Sequence, residues 1–232
     1  MEKTTSYNRM FKVIIITIFP EVFPGLLNIS LIGKALKKKL WHLSVIDLKK
    51  HAVNGKKIDD VPFGGGPGMI IRPDVLQSAY DKIKKDNPEI TSKKYAKIVF
   101  SPRGSTLNQN LLLNFSKLEG MVLVCGRYEG IDERFIEKNN FQQVSLGNFV
   151  LMGGEIASMA TLEGVIRLLP GVLGNTKSLE EESFNNDSLE HPQYTRPRKW
   201  ENSDVPDVLL SGNHKEIIKW RKANSKIFFK KK

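Results

Sequence analysis

The chain has 232 residues, 40% of them hydrophobic and 26% charged, an ordinary globular composition with ample length for a buried core in one large domain or two small ones. A net charge of +11 at pH 7 suits a polyanionic partner, either nucleic acid or an acidic membrane surface. The single cysteine, Cys125, excludes an intrachain disulfide and a multi-cysteine zinc site and fits a reducing, cytoplasmic compartment, while no apolar run approaches the ~18 residues of a membrane span.

The β-branched run Val13 to Ile18 predicts a buried parallel strand. It follows basic residues, but without a small-residue cleavage site it is read as a strand and not as a signal peptide. Phe19-Pro20-Glu21 ends it. A helical stretch to about Lys39 follows, interrupted near Gly25 and Gly33, and Leu43 to Leu48 alternates as a second strand. His51 to Met69 is a polar loop closing in Gly64-Gly65-Gly66-Pro67-Gly68, a run that neither helix nor central strand accommodates. It is either a connector or, with Asp59 and Asp60 beside it, a bed for a base or phosphate backbone. Pro73 to Lys85 fits a helix with proline in its first turn. Lys97 to Phe100 is a third core strand ending in Ser101-Pro102-Arg103-Gly104, and Asn108 to Phe115 is a short helix started by Thr106 or Asn108.

Met121 to Glu155 carries the densest signal. An apolar run, Met121 to Cys125, breaks at Gly126 into Arg127-Tyr128-Glu129-Gly130. A helix from Asp132 to Lys138 follows, then a second run, Phe141 to Leu146, which breaks at Gly147 into Asn148-Phe149-Val150-Leu151-Met152-Gly153-Gly154. Two successive glycine loops holding polar side chains at strand ends form the pattern by which open α/β sheets bind ligands outside their strand C-termini, because glycine lets backbone approach a ligand closely. Cys125 ends an apolar run and reads as core rather than nucleophile. The four histidines, His42, His51, His191 and His214, show no metal-ligand spacing.

Glu155 to Leu169 predicts an amphipathic helix with Ile156, Met159, Ala160, Val165 and Leu168 near helical spacing and Arg167 near its C-terminus. Val172 to Pro206 is the longest aperiodic stretch. Its first part holds Glu180, Glu181, Glu182, Asp187 and Glu190, while Tyr194 to Trp200 combines Arg196 and Arg198 with aromatics, as RNA-contact segments do. A helix resumes at Asn213 and runs into a lysine-rich tail. The expected organisation is a knot-free reading of one α/β domain over residues 1–171, a linker over 172–206 and a small helical domain over 207–232.

Several motifs resemble the bacterial tRNA (guanine-N1)-methyltransferase family, of the knotted SPOUT class. They run from Thr17-Ile18-Phe19-Pro20-Glu21, through Asp59-Asp60 with Phe63-Gly64-Gly65-Gly66-Pro67-Gly68-Met69 and Ser101-Pro102-Arg103-Gly104, to the most specific, Leu123-Val124-Cys125-Gly126-Arg127-Tyr128-Glu129-Gly130-Ile131-Asp132-Glu133-Arg134. Gly153-Gly154-Glu155, Leu169-Pro170-Gly171-Val172-Leu173-Gly174, Tyr194-Thr195-Arg196-Pro197 and Leu209-Leu210-Ser211-Gly212-Asn213-His214 complete the set, so that the resemblance covers essentially the whole chain.

The resemblance implies a mostly parallel sheet with a deep trefoil knot, an exception to the unknotted-chain rule, and a homodimer with its active site at the subunit interface. It implies transfer of a methyl group from S-adenosylmethionine to N1 of the guanosine directly 3′ of the tRNA anticodon. The donor-holding residues would be Ser101, Pro102, Gly104, Gly126, Tyr128, Glu129, Ser145, Leu146, Gly147, Asn148, Phe149, Val150, Leu151 and Gly153. The family's catalytic aspartate precedes a Ser-Phe pair. Here Ser183-Phe184 follows Glu182, so Glu182 is the expected general base, with Glu181 and Asp187 as alternatives. Arg167 matches the catalytic arginine, and Asp59 a carboxylate that handles the target guanosine and its 5′ neighbour. Phe149 stands where relatives often carry tyrosine. Mg²⁺ assists some relatives, although the sequence displays no cluster for it. Met1 to Arg9 reads as an extension or as residues ahead of a true start at Met10. The rival readings are a SPOUT methyltransferase for another RNA site and a catalytically silent RNA-binding module.

Overall fold

In the computed structural model the described residues are 10–52, 57–173 and 188–227. They fall in two compact units, Met1–Gly174 and Asn175–Lys232. Glu180, Glu181, Glu182 and Asp187 lie outside the described residues, as do the terminal lysines.

The first unit is built on β1 (Phe11–Thr17), α1 (Ser30–Lys37), β2 (Trp41–Asp47), β3 (Asp59–Asp60), β4 (Ile70–Ile71), α2 (Pro73–Asp86), β5 (Tyr95–Thr106), α3 (Gln109–Ser116), β6 (Gly120–Val124), α4 (Glu133–Asn139), β7 (Gln142–Ser145) and α5 (Gly154–Ile166). Five strands form one sheet in the order β2-β1-β6-β5-β7, and every neighbouring pair is parallel. Parallel strands covered on both faces must be apolar on both. In β1 successive side chains alternate accordingly. Val13 and Ile15 pack with Ile32 of α1, Phe115 of α3 and Leu162 and Val165 of α5. Ile14 and Ile16 pack with Val75 and Leu76 of α2 and Phe135 of α4. The result is an α/β/α sandwich, in which truncating a central isoleucine such as Ile15 to alanine costs about 2–5 kcal/mol.

Three local expectations are corrected. Gly33 does not interrupt the helix but lies within α1, because its Cα packs against the Asn28 backbone where a Cβ would clash. β5 does not stop at Phe100. Phe100 and Ser105 both pair with Val144, so residues 101–104 bulge out and the strand then resumes alongside β7, which runs of apolar residues cannot reveal. Nor is α5 amphipathic. Glu155, Ser158 and Thr161 are buried along with Ala157, Leu162 and Val165, whereas Ile156 is 63% exposed. The polar groups survive burial because each is bonded: Thr161 donates to the Ala157 carbonyl at 2.8 Å, and Ser158 Oγ sits 3.1 Å from Cys125 Sγ.

The second unit contains β8 (Ser188–Leu189), β9 (Lys199–Trp200), β10 (Ser203–Asp204), α6 (Asp207–Leu210), α7 (His214–Asn224) and β11 (Lys226–Ile227). β9 pairs antiparallel with β10 and β8 with β11. These strands interrupt the stretch read as aperiodic; two-residue strands carry no period to detect. Trp220 of α7 meets His191 and Tyr194 with ring centroids 6.0 and 6.1 Å away.

Candidate ligand-binding site

Three neighbouring strands, β6, β5 and β7, end at the same edge, and the loops leaving them enclose a cavity of about 380 Å³. That is within the roughly 300–1,000 Å³ of small-molecule pockets, at the strand C-termini where α/β sheets place ligands. The β5 bulge contributes Ser101, Pro102 and Arg103; the loop after β6 contributes Gly126 to Ile131; the segment after β7 contributes Ser145, Leu146 and Phe149 to Gly154. Of the donor-holding residues expected from sequence, Ser101, Pro102, Gly126, Tyr128, Glu129, Ser145, Leu146, Phe149, Val150, Leu151 and Gly153 therefore come together on one cavity. Gly104, Gly147 and Asn148 stand behind this wall. Gly104 lies so close to the Gln143–Val144 backbone that a Cβ would collide with it. Gly147 has φ +157 and exchanges hydrogen bonds with the Ser145 hydroxyl, its N–H donating at 3.2 Å and its carbonyl accepting at 3.0 Å.

The loops are held by side chains as much as by backbone. Glu155, 3% exposed, accepts from Thr17 Oγ1 at 2.8 Å and from Arg127 Nε at 2.9 Å. The Arg127 guanidinium also stacks over the Phe19 ring, 4.5 Å from its centroid. Gly153 passes Arg127 so tightly that a Cβ would strike the guanidinium, and Gly154 packs against the Cys125 backbone. Cys125 is core, as read from sequence. Burial pushes its thiol up to about 12, which leaves it protonated and unreactive at neutral pH.

The glycine bed is positioned by a small hairpin. Asp59 and Asp60 pair antiparallel with Ile71 and Ile70, and Gly64, Gly65, Gly66 and Gly68 in the connecting loop all have positive φ, which side-chain-bearing residues seldom adopt. β4 is stitched to the cavity loop: Glu129 N–H donates to the Met69 carbonyl at 2.9 Å and Ile71 N–H to the Gly130 carbonyl at 3.0 Å. Tyr128, itself at φ +58, donates its hydroxyl to Asp59. Burial first, then the Asp59 charge, holds the phenol above its ordinary value, so it remains a donor at neutral pH. Asp59 thereby stands at the rim of the cavity. Arg167 does not: it caps the C-terminal end of α5, whose N-terminal Gly154 lines the cavity. Glu182, the expected base, lies outside the described residues.

Three cavity residues escaped the sequence reading. Glu133 accepts from Gln143 Nε2 at 2.8 Å and from Arg103 Nη1 at 3.4 Å, giving the cavity a polar end. Arg103 sat within a recognised motif, and Gln143 falls on the outward phase of a strand that sequence places only approximately. Among the described residues no group of three or more His, Cys, Asp or Glu is arranged to hold a metal ion, and no helix is long and apolar enough to cross a membrane.

An all-parallel sheet with a cavity framed by glycine loops at three adjoining strand ends defines an α/β protein built around a small-molecule ligand. The comparisons make this particular. A family model described as tRNA (Guanine-1)-methyltransferase TrmD matches residues 11–232. A Ruegeria pomeroyi protein named tRNA (guanine-N(1)-)-methyltransferase is 46% identical over 226 residues, covering 97% of this chain and 91% of its own. Identically named proteins of Ehrlichia canis, at 47% over 210 residues (89% and 87% of the two chains), and of Wolbachia pipientis wMel, at 46% over 226 residues (96% and 93%), match similarly. The chain belongs to the tRNA (guanine-1)-methyltransferase family, a family of transferases.

Proposed function

We propose that this chain transfers a methyl group from S-adenosylmethionine to N1 of the guanosine directly 3′ of the anticodon in tRNA. The observation that carries the reading is the convergence of the family's glycine-loop motifs on one cavity of suitable size. The residues fit such a donor: the apolar Phe149, Val150 and Leu151 offer a wall for an adenine, and Glu129 and Glu133 offer negative charge to a cation. Bound there, S-adenosylmethionine supplies a methyl group made electrophilic by its sulfonium.

The chain's own work is placement and proton transfer. N1 of guanine carries a proton, and its in-plane lone pair is free only once that proton leaves. Glu182 is assigned the general base, accepting it onto a carboxylate oxygen. The charge left on the base spreads to O6, where Arg167 is assigned to stabilise it. Asp59, held by Tyr128 at the cavity rim, is assigned to orient the guanosine or its 5′ neighbour.

The position of Arg167 bears on assembly. α5 has 13 residues, about 20 Å at ~1.5 Å per residue, so Arg167 and the cavity in its own chain sit at opposite ends of the helix. This supports a homodimer in which each active site is completed by the other subunit. Exposed Leu26, Ile29 and Ile156 supply apolar surface for such an interface. The strand order supports the trefoil knot, since β5 precedes β6 and β7 yet lies between them. The net charge of +11 suits tRNA. No metal enters the assignment.

The test is methyl transfer from labelled donor to unmodified tRNA, with the product nucleoside identified. N1-methylguanosine from wild type and none from Glu182→Gln supports enzyme and base together. Near-normal turnover by Glu182→Gln, with loss in Glu181→Gln or Asp187→Asn, moves the base. Absence of transfer with tRNA still bound makes the chain a silent binder.

A further inference from the structure

A second cavity of about 400 Å³ lies on the other side of the β4 ladder from the first, between the β3–β4 loop and the start of α4. Val61, Pro62 and Phe63 form one wall. The Phe63 ring is 98% exposed and Val61 69%, an unusual placement for an aromatic beside an open cavity. The facing wall is polar. Arg72 donates through Nε and Nη2 to the two oxygens of Asp74, each at 3.1 Å, and through Nη1 to Asp60 at 3.4 Å. Arg134 grips Asp132 in the same two-pronged way, at 2.9 and 2.7 Å.

Charge selects among ligands. Two guanidiniums face three carboxylates here, and both arginines are already engaged, so a phosphate would meet excess negative charge. A flat, uncharged ring with amino donors suits both walls. It stacks on Phe63, and its amino groups donate to carboxylate lone pairs that the arginines leave open. The chain direction favours the same class. Met69 and Ile71 link directly to Glu129 and Gly130 of the first cavity's loop, so a single strand of RNA with one base in the first cavity passes beside the second.

We infer that the second cavity is a nucleobase subsite, in which an unpaired, amino-bearing base of the substrate RNA other than the target stacks on Phe63 and donates to Asp60. The inference rests on the proposed tRNA reading and extends it.

Full-length wild type, Phe63→Ala, Phe63→Trp and Asp60→Asn are compared for methyl transfer to unmodified tRNA, for tRNA binding, and for S-adenosylmethionine affinity by calorimetry without RNA. The expected result is that Phe63→Ala raises KM and Kd for tRNA by roughly tenfold or more, that Phe63→Trp restores them, and that donor affinity holds in both. 2-Aminopurine placed at single anticodon-loop positions is then quenched on binding by Phe63→Trp at one non-target position. Unchanged tRNA affinity in Phe63→Ala, in an enzyme whose wild type is active, overturns the subsite and leaves the function standing. Donor affinity falling in step with tRNA affinity also overturns it, as does loss of self-association in Phe63→Ala, which makes the patch an interface between copies. A wild type that neither binds nor methylates tRNA defeats the functional reading, and the subsite with it.

Discussion

Arg127 and Glu155 tie the two glycine loops to each other. The Arg127 Nε donates to Glu155 Oε2 at 2.9 Å across 28 residues of sequence. Glu155 opens the first turn of α5 and also receives Thr17 from the end of β1, so one buried carboxylate joins three elements at the mouth of the cavity.

Removing it strands a guanidinium and a hydroxyl. Glu155→Ala is expected to lower stability by about 3 kcal/mol, the scale of breaking a buried pair from one side, measured by urea unfolding. Glu155→Gln keeps an acceptor for both donors and is expected to lose less. Equal midpoints for Glu155→Ala and wild type would show that the frame does not depend on the pair.

Gly104 and Gly126 separate packing from ligand approach. A methyl at Gly104 collides with the β7 backbone, which has no rotamer to retreat to, so Gly104→Ala is expected to cost about 1–3 kcal/mol. At Gly126 the nearest side-chain atom to a new methyl is Ile131 Cγ1 at 3.5 Å, an ordinary contact. Gly126→Ala is therefore expected to stay within about 0.5 kcal/mol of wild type while weakening donor affinity, because the residue lines the cavity. Thermal unfolding and calorimetry on the same two samples distinguish the roles; equal donor affinity in wild type and Gly126→Ala would remove Gly126 from the site.

Asp132 gives a pH signature. Hydrogen bonding from Arg134 holds its carboxyl below the ordinary 3.8, so the unfolded chain binds the proton more readily than the folded one. The stabilisation is present in full above about pH 4, where the unfolded carboxylate is charged, and fades as pH falls through the lower folded value. Asp132→Asn retains a cap oxygen for the Arg134 N–H but loses the charge. Its deficit in urea midpoint is expected near neutrality and should shrink toward pH 3. A deficit independent of pH would mean that the charge contributes nothing.

The strands and the cavity loops were legible because their signals are local. The apolar runs of β1 and β6 break at glycines, and the loops after β5, β6 and β7 carry motifs. The β5 bulge was not legible, since pairing of both Phe100 and Ser105 with Val144 depends on a strand forty residues further on. The burial of Glu155 was hidden for a similar reason: its partners Thr17 and Arg127 come from other strands, and a carboxylate in a helical pattern reads as solvent-facing. The second cavity needed β4 to be placed beside the Glu129 loop, a contact without sequence periodicity. Family membership was legible from motifs alone and is supported over residues 11–232.

The walls of the first cavity come from the ends of three strands, and among its described lining few side chains reach from one wall to another. A molecule seated between them acts as a keystone. It would brace the β5 bulge, the Gly126 loop and the segment before α5 at once, adding stability in proportion to how far its concentration exceeds its Kd. The far strands, β2 and β1, contribute nothing to that cavity and gain little from the bracing. Ligand and half-sheet would thus melt as one cooperative block, with slowed amide exchange around the cavity marking its extent and unaltered exchange in Trp41–Asp47 marking its edge.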